Sequence, residues 1–100
     1  MPTAHYFIQL AVAYRESGQY EKAIEASKKA LQREPNTHFP YIHMAISYIR
    51  SGREKEARAA AAEILRIDPE FSLERYARIL PFPQPVADRV IEDLRKAGLD

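Results

Sequence analysis

The chain has no cysteine, only three glycines in its 100 residues, and no excess of charge of either sign. Without cysteine there are no disulfides, no thiolate metal ligands and no cysteine nucleophile. Fifteen Lys and Arg stand against fourteen Asp and Glu, a net charge of +1. The balance holds locally, with 6 basic and 4 acidic side chains in residues 1–50 and 9 and 10 in residues 51–100. Neither half has the basic excess that binding a nucleic acid or an anionic membrane surface requires. No apolar run approaches the roughly 18 residues of a membrane span, and the N-terminus lacks the basic-then-apolar order of a signal peptide. A cytoplasmic setting is the expectation. Scarce glycine also means no Gly-rich phosphate loop, and the serines lack an arrangement with His and a carboxylate that sequence could justify. No catalytic activity and no cofactor are expected.

What the chain does have is an internal echo. Ala11, Tyr14, Ser17, Gly18, Ala23, Ala26, Leu31 and Pro35 recur as Ala45, Tyr48, Ser51, Gly52, Ala57, Ala60, Leu65 and Pro69, always 34 positions later. Within each copy the apolar residues follow helical spacing. Phe7, Ile8, Leu10, Ala11, Val12 and Tyr14 form one stripe, predicting a helix over 4–17. Gly18 supplies a helix-ending position, and Ala23, Ile24, Ser27, Ala30 and Leu31 predict a second helix running to Arg33. Glu25 precedes Lys29 by four residues, the favourable order for an exposed ion pair worth about 0.3 kcal/mol. Pro35 stops this helix, and Asn36 or Thr37 can cap the next. The second copy predicts helices over 38–51 and 54–67, the latter around an Ala59-Ala60-Ala61-Ala62 run that favours helix and permits close approach.

After Pro69 the period lapses, because its slots fall on Arg75 and Arg78. Ser72 can cap a short helix carrying Leu73, Tyr76, Ala77 and Leu80, and Pro81-Phe82-Pro83-Gln84-Pro85 forbids its continuation. A last helix starting at Pro85 or Val86 carries Val86, Val90, Ile91 and Leu94 and ends at Gly98. This pair reads as a terminal cap, since the last unit of a stacked array otherwise exposes its stacking face.

A 34-residue period with small residues, Tyr, Gly and Pro in fixed slots resembles the tetratricopeptide repeat over residues 4–71. The departures are Ser27 and Ala61, where an aromatic is usual, and Ile64, where Ala30 gives the usual small residue. The resemblance implies an all-α fold: a short right-handed superhelix of antiparallel hairpins. Residues 1–100 form one domain in this reading, with repeats at 4–37 and 38–71 and a divergent capping hairpin at 72–100. Two repeats make a short array, which favours a piece of a longer chain.

The resemblance also implies a concave groove lined by the first helix of each repeat. By position its residues are His5, Ile8, Gln9, Val12 and Arg15, then Phe39, Ile42, His43, Ile46, Ile49 and Arg50. Some members grip a partner's C-terminal carboxylate with Lys, Asn and Arg. The corresponding slots here hold His5, Ile8, Gln9, Val12 and Phe39, so that role is disfavoured. A mostly apolar groove has two readings. It takes a segment of a protein or peptide partner, which makes the chain an interaction scaffold, or it is filled by the chain's own tail or another copy, which makes it a structural self-association unit. Val90, Ile91 and Leu94 need such a place to be buried. A metal is not expected, because His5, His38 and His43 lack the i, i+4 spacing that puts two imidazoles on one helical face. The tyrosines read as packing residues rather than a base-stacking platform.

The tail carries a narrower resemblance. Phe71-Ser72-Leu73-Glu74-Arg75-Tyr76-Ala77-Arg78, then Leu80-Pro81-Phe82 and Leu94-Arg95-Lys96-Ala97-Gly98-Leu99, look like the C-terminal end of bacterial class III adenylate cyclases that carry tetratricopeptide arrays. This implies an accessory region only, with the cyclase chemistry lying elsewhere.

Overall fold

The computed structural model describes residues 2–100, so the Met1 boundary of the expected domain lies outside the described residues. Six helices follow in order: α1 (Ala4–Glu16), α2 (Tyr20–Arg33), α3 (Phe39–Arg50), α4 (Glu54–Ile67), α5 (Leu73–Ile79) and α6 (Gln84–Lys96). Among the described residues there is no strand. No helix is long and apolar enough to cross a membrane.

The two repeats end their first helices in the same way. Gly18 and Gly52 have φ of 80° and 79°, and an added Cβ at either would meet nothing within 4 Å. Backbone conformation, not space, therefore selects glycine there. Each turn is closed by a backbone hydrogen bond back into the helix, Gln19 N–H to Tyr14 C=O and Arg53 N–H to Tyr48 C=O, both 2.8 Å. The caps elsewhere follow sequence in part. Thr3 and Ser72 accept from Tyr6 N–H and Arg75 N–H, as N-caps do. The expected cap at Asn36 or Thr37 is weaker: His38 is the N-cap of α3, and Thr37 Oγ1 takes only a long 3.5 Å bond from Phe39 N–H. Pro40 in the first turn of α3 lacks an N–H that a cap would otherwise have to satisfy. The Glu25–Lys29 pair does not form among the described residues. Lys29 Nζ lies instead over the Phe7 ring, 6.0 Å from its centre.

α1 packs on α2, α2 on α3 and α3 on α4, as stacked hairpins do. The third pair departs from that plan. α6 packs across α3, and α5 packs on α6. Val90, Leu94 and Leu99 are fully buried there, in one core with Ile42, Ile46, Ala57 and Ile64. Three such aliphatic side chains contribute roughly 6 kcal/mol gross when taken out of water. The chain end is fastened too, since Leu73 N–H donates to Asp100 C=O at 2.8 Å. With the tail folded back, the molecule measures 34 × 28 × 27 Å.

Candidate functional site

The surface formed by α1 and α3 is divided by the tail. Ile42, Ile46, His43 and Arg15 are buried, and the Arg50 side chain is only 2% exposed. Ile49 is half-buried against the core at the far end, beside Arg95 and Lys96. Arg15, Ile42 and Ile46, expected to line an open groove, are instead closed in by packing, with α6 lying against α3; His43 keeps an edge on one cleft and Ile49 on another. His5, Ile8, Gln9, Val12 and Phe39 keep solvent access, wholly or in part.

Phe39 is the centre of what stays open. It is 44% exposed and forms a wall of three adjoining clefts. One, of about 180 Å³, runs between Ile8 and Val12 of α1 and the segment Ile79–Phe82, with His43 and Tyr76 also lining it. A second, of about 300 Å³, lies between His5, Ile8, Glu34 and Thr37. The third, of about 280 Å³, is bounded by His38, Asp68, Phe71, Arg75 and Ile79. Ile79 is 65% exposed at its edge. An aliphatic side chain that wet, beside a half-exposed phenyl ring, is a feature a lone exposed apolar residue is not.

The sequence pattern missed Ile79, Leu80, Pro81 and Phe82 as site residues because the repeat slots end at Pro69. Their signal was present: an apolar cluster interrupted by prolines, in a stretch that no helix can bury along one face.

A partly buried polar network links three helices. Arg15 Nε donates to Glu16 Oε2 at 3.0 Å, and Arg50 Nη1 donates to the same oxygen at 2.7 Å. Arg50 Nε donates to Asp93 Oδ2 at 2.7 Å, tying α3 to α6. Two cations and two anions make the network neutral as a whole. Arg15 Nη1 also contacts His43 Nδ1 at 2.9 Å. Guanidinium has no acceptor, so His43 must accept through Nδ1 and carry its proton on Nε2.

Electrostatics follow from this arrangement. Burial, with the adjacent Arg15 charge, pushes the His43 pKa down to about 3. Burial also lowers Arg15, against the hydrogen bond to Glu16. At Glu16 burial acts to raise the pKa, but the bonds from Arg15 and Arg50 outweigh it and hold the carboxyl below its ordinary value. Burial raises the Tyr76 phenol to about 12, with Arg15 opposing. These shifts arise where burial and the paired charges of one network coincide. Arg15 Nη2, Arg50 Nη2 and Ser47 Oγ find no partner among the described residues, an imperfection that costs stability.

The three histidines lie apart in role: His5 beside Gln9 on the surface, His38 stacked on Phe39, His43 in the network. Among the described residues no group of three His, Asp or Glu side chains could hold a metal ion. The arrangement as a whole offers an apolar surface with polar edges, suited to receiving side chains.

Comparison with known families places this architecture. The model of the family described as Tetratricopeptide repeat matches residues 14–80, more than half of the chain. No curated protein matches the chain.

Proposed function

Because the chain belongs to the tetratricopeptide repeat family, whose repeats generally mediate protein–protein interaction, we propose that it is a non-catalytic scaffold that takes a protein or peptide partner at the clefts around Phe39. The observation that carries this is the exposure of Phe39 and Ile79 in one continuous apolar surface with Ile8 and Val12. A partner segment that buries an aliphatic or aromatic side chain against Phe39 fits it. His5 and Gln9 then stand at its edge and His43 in its lining, while Arg15, Ile42 and Ile46 support the surface from behind.

The test is selection of peptides from a displayed library on the wild-type chain, followed by binding to Phe39→Asp. Phe39 is a surface residue, so the variant should keep its circular dichroism spectrum and lose the selected peptides by at least tenfold. Peptides that bind both proteins equally would falsify the site.

The finer proposal has three parts: residues 1–100 act as one domain with repeats at 4–37 and 38–71 and a cap at 72–100, the setting is cytoplasmic, and the region is accessory to a bacterial adenylate cyclase. The cyclase part rests on the wording of residues 71–99. It is checked by the reading frame upstream of Met1, which should encode a catalytic domain with metal-binding aspartates. Self-association through the same apolar surface is the second reading, favoured by the exposure of Ile79. Sedimentation across a hundredfold concentration range separates the two: a concentration-dependent mass that Phe39→Asp abolishes supports self-association.

A further inference from the structure

Two polar groups end without a partner in the cleft between α1 and the Ile79–Phe82 segment. His43 and Tyr76 both line it, and they are only 6% and 7% exposed. The bond from Arg15 to Nδ1 holds the His43 proton on Nε2, and neither that N–H nor the Tyr76 hydroxyl bonds to a described residue. Neither is among the atoms sealed from water without a partner, which are Arg15 Nη2, Ser47 Oγ and Arg50 Nη2. Both therefore touch the solvent of a cleft they line. Of the three clefts around Phe39, His43 lines this one alone. The Arg15 charge acts on the phenol as it does on the imidazole, which sets the hydroxyl and the ring at the same end.

The walls select what can enter. Ile8, Val12, Phe39 and Phe82 make them mostly apolar, and no charged side chain lines the cleft. A purely apolar side chain strips water from both polar groups and leaves them unpaired. A carboxylate loses its own water and meets no free positive charge, since Glu16 and Asp93 already pair with Arg15 and Arg50. What fits is an aromatic body between the two phenyl walls with an uncharged oxygen at its tip. A phenol hydroxyl accepts from His43 Nε2–H and shares a second bond with the Tyr76 hydroxyl, as donor or acceptor. The bond that Arg15 donates to Nδ1 draws charge from the ring and strengthens Nε2–H as a donor.

We propose that this cleft takes a tyrosine side chain of the partner protein, its ring against Phe39 and Phe82 and its hydroxyl bonded to His43 Nε2–H and the Tyr76 hydroxyl. The anchor rests on the scaffold function proposed above and names the residue by which the partner is held.

The probes are p-cresol, toluene and p-toluate, one ring ending in a phenol, in nothing polar and in a carboxylate, each titrated into the full chain with NMR detection. p-Cresol should give saturable shifts at Ile8, Val12 and Ile79 and slow the exchange of His43 Nε2–H with water. It should bind about fivefold more tightly than toluene, the effect of one hydrogen bond, and p-toluate should not bind. Tyr76→Phe keeps the buried ring and should weaken p-cresol about fivefold while leaving toluene unchanged. The wild-type comparison stands even if that variant fails to fold. The proposal is overturned by no saturable shift at millimolar p-cresol, by equal affinity for p-cresol and toluene, by binding of p-toluate, or by a Tyr76→Phe protein that keeps the preference. The same shifts on concentrating the chain alone would make a second copy the occupant and overturn it as well. Selected peptides that need Phe39 but carry no tyrosine overturn the anchor and leave the scaffold function standing.

Discussion

α1 and α3 occupy the same place in successive repeats and live in different environments. Gln9 is wet where His43 is buried; Ile8 and Val12 are half-open where Ile42 and Ile46 are closed. The helices are alike in local sequence logic, and what separates them is their neighbours. α3 is packed between α2, α4 and α6, whereas α1 packs mainly on α2 and more lightly on α3. A repeat slot therefore specifies a direction on the helix, and the neighbouring elements specify whether that direction is core or binding surface.

The comparison breaks most severely at the latch between α3 and α6. Arg50→Ala leaves Asp93, 8% exposed at its side chain, as an uncompensated charge. A loss of about 4 kcal/mol in urea unfolding is expected; a loss below about 1 kcal/mol would mean the tail is held without the pair.

Acid should act next, and only on the covered half. Unfolded His43 takes up a proton near pH 6.5, the folded residue not until about pH 3. Between those values the unfolded state binds more protons. Stability is thus complete above pH 6.5 and falls as the pH drops through that window, by an amount on the order of 4 kcal/mol. His43→Gln keeps an acceptor for Arg15 and removes the titration, so its stability should stay nearly level down to the ordinary carboxylate range, where unfolded Glu16 takes up a proton that folded Glu16, its pKa lowered, does not. Parallel pH profiles for the two proteins would refute the assignment.

Truncating matched slots gauges the covering directly. Met44→Ala should cost about 3 kcal/mol and Leu10→Ala about 1 kcal/mol, because only the former empties a closed site. Glycine replacement sharpens the comparison from the other side, since backbone geometry is shared. Gly18→Ala and Gly52→Ala should each cost about 1 kcal/mol and agree within error, their φ values being 80° and 79°. The smallest effect is at the open edge: Ile79→Ala should change stability by under about 0.5 kcal/mol while weakening any ligand of the Phe39 clefts.

The helices were readable because their signals are local. The stripe from Phe7 to Tyr14, Gly18 and Pro35 give α1, the turn and the end of α2 with errors of a residue or so, and the 34-residue echo repeats them. Ser72 and the Pro81–Pro85 segment likewise mark α5 and the start of α6. The site was legible only by halves. Ile8, Val12 and Phe39 were found as apolar residues in the right slots, but Ile42 and Ile46 have the same pattern and are closed. Nothing in the spacing of Asp93 announces a bond to Arg50, which lies 43 positions away.

The sequence by itself determined six helices, their turns and the family, because hydrophobic periodicity, positive-φ glycine and proline act within a few residues. Only the tertiary structure decided which repeat slots are buried and which stay open. That choice depends on α6 folding back over α3, and contacts between elements far apart in the chain carry no period for a sequence to display.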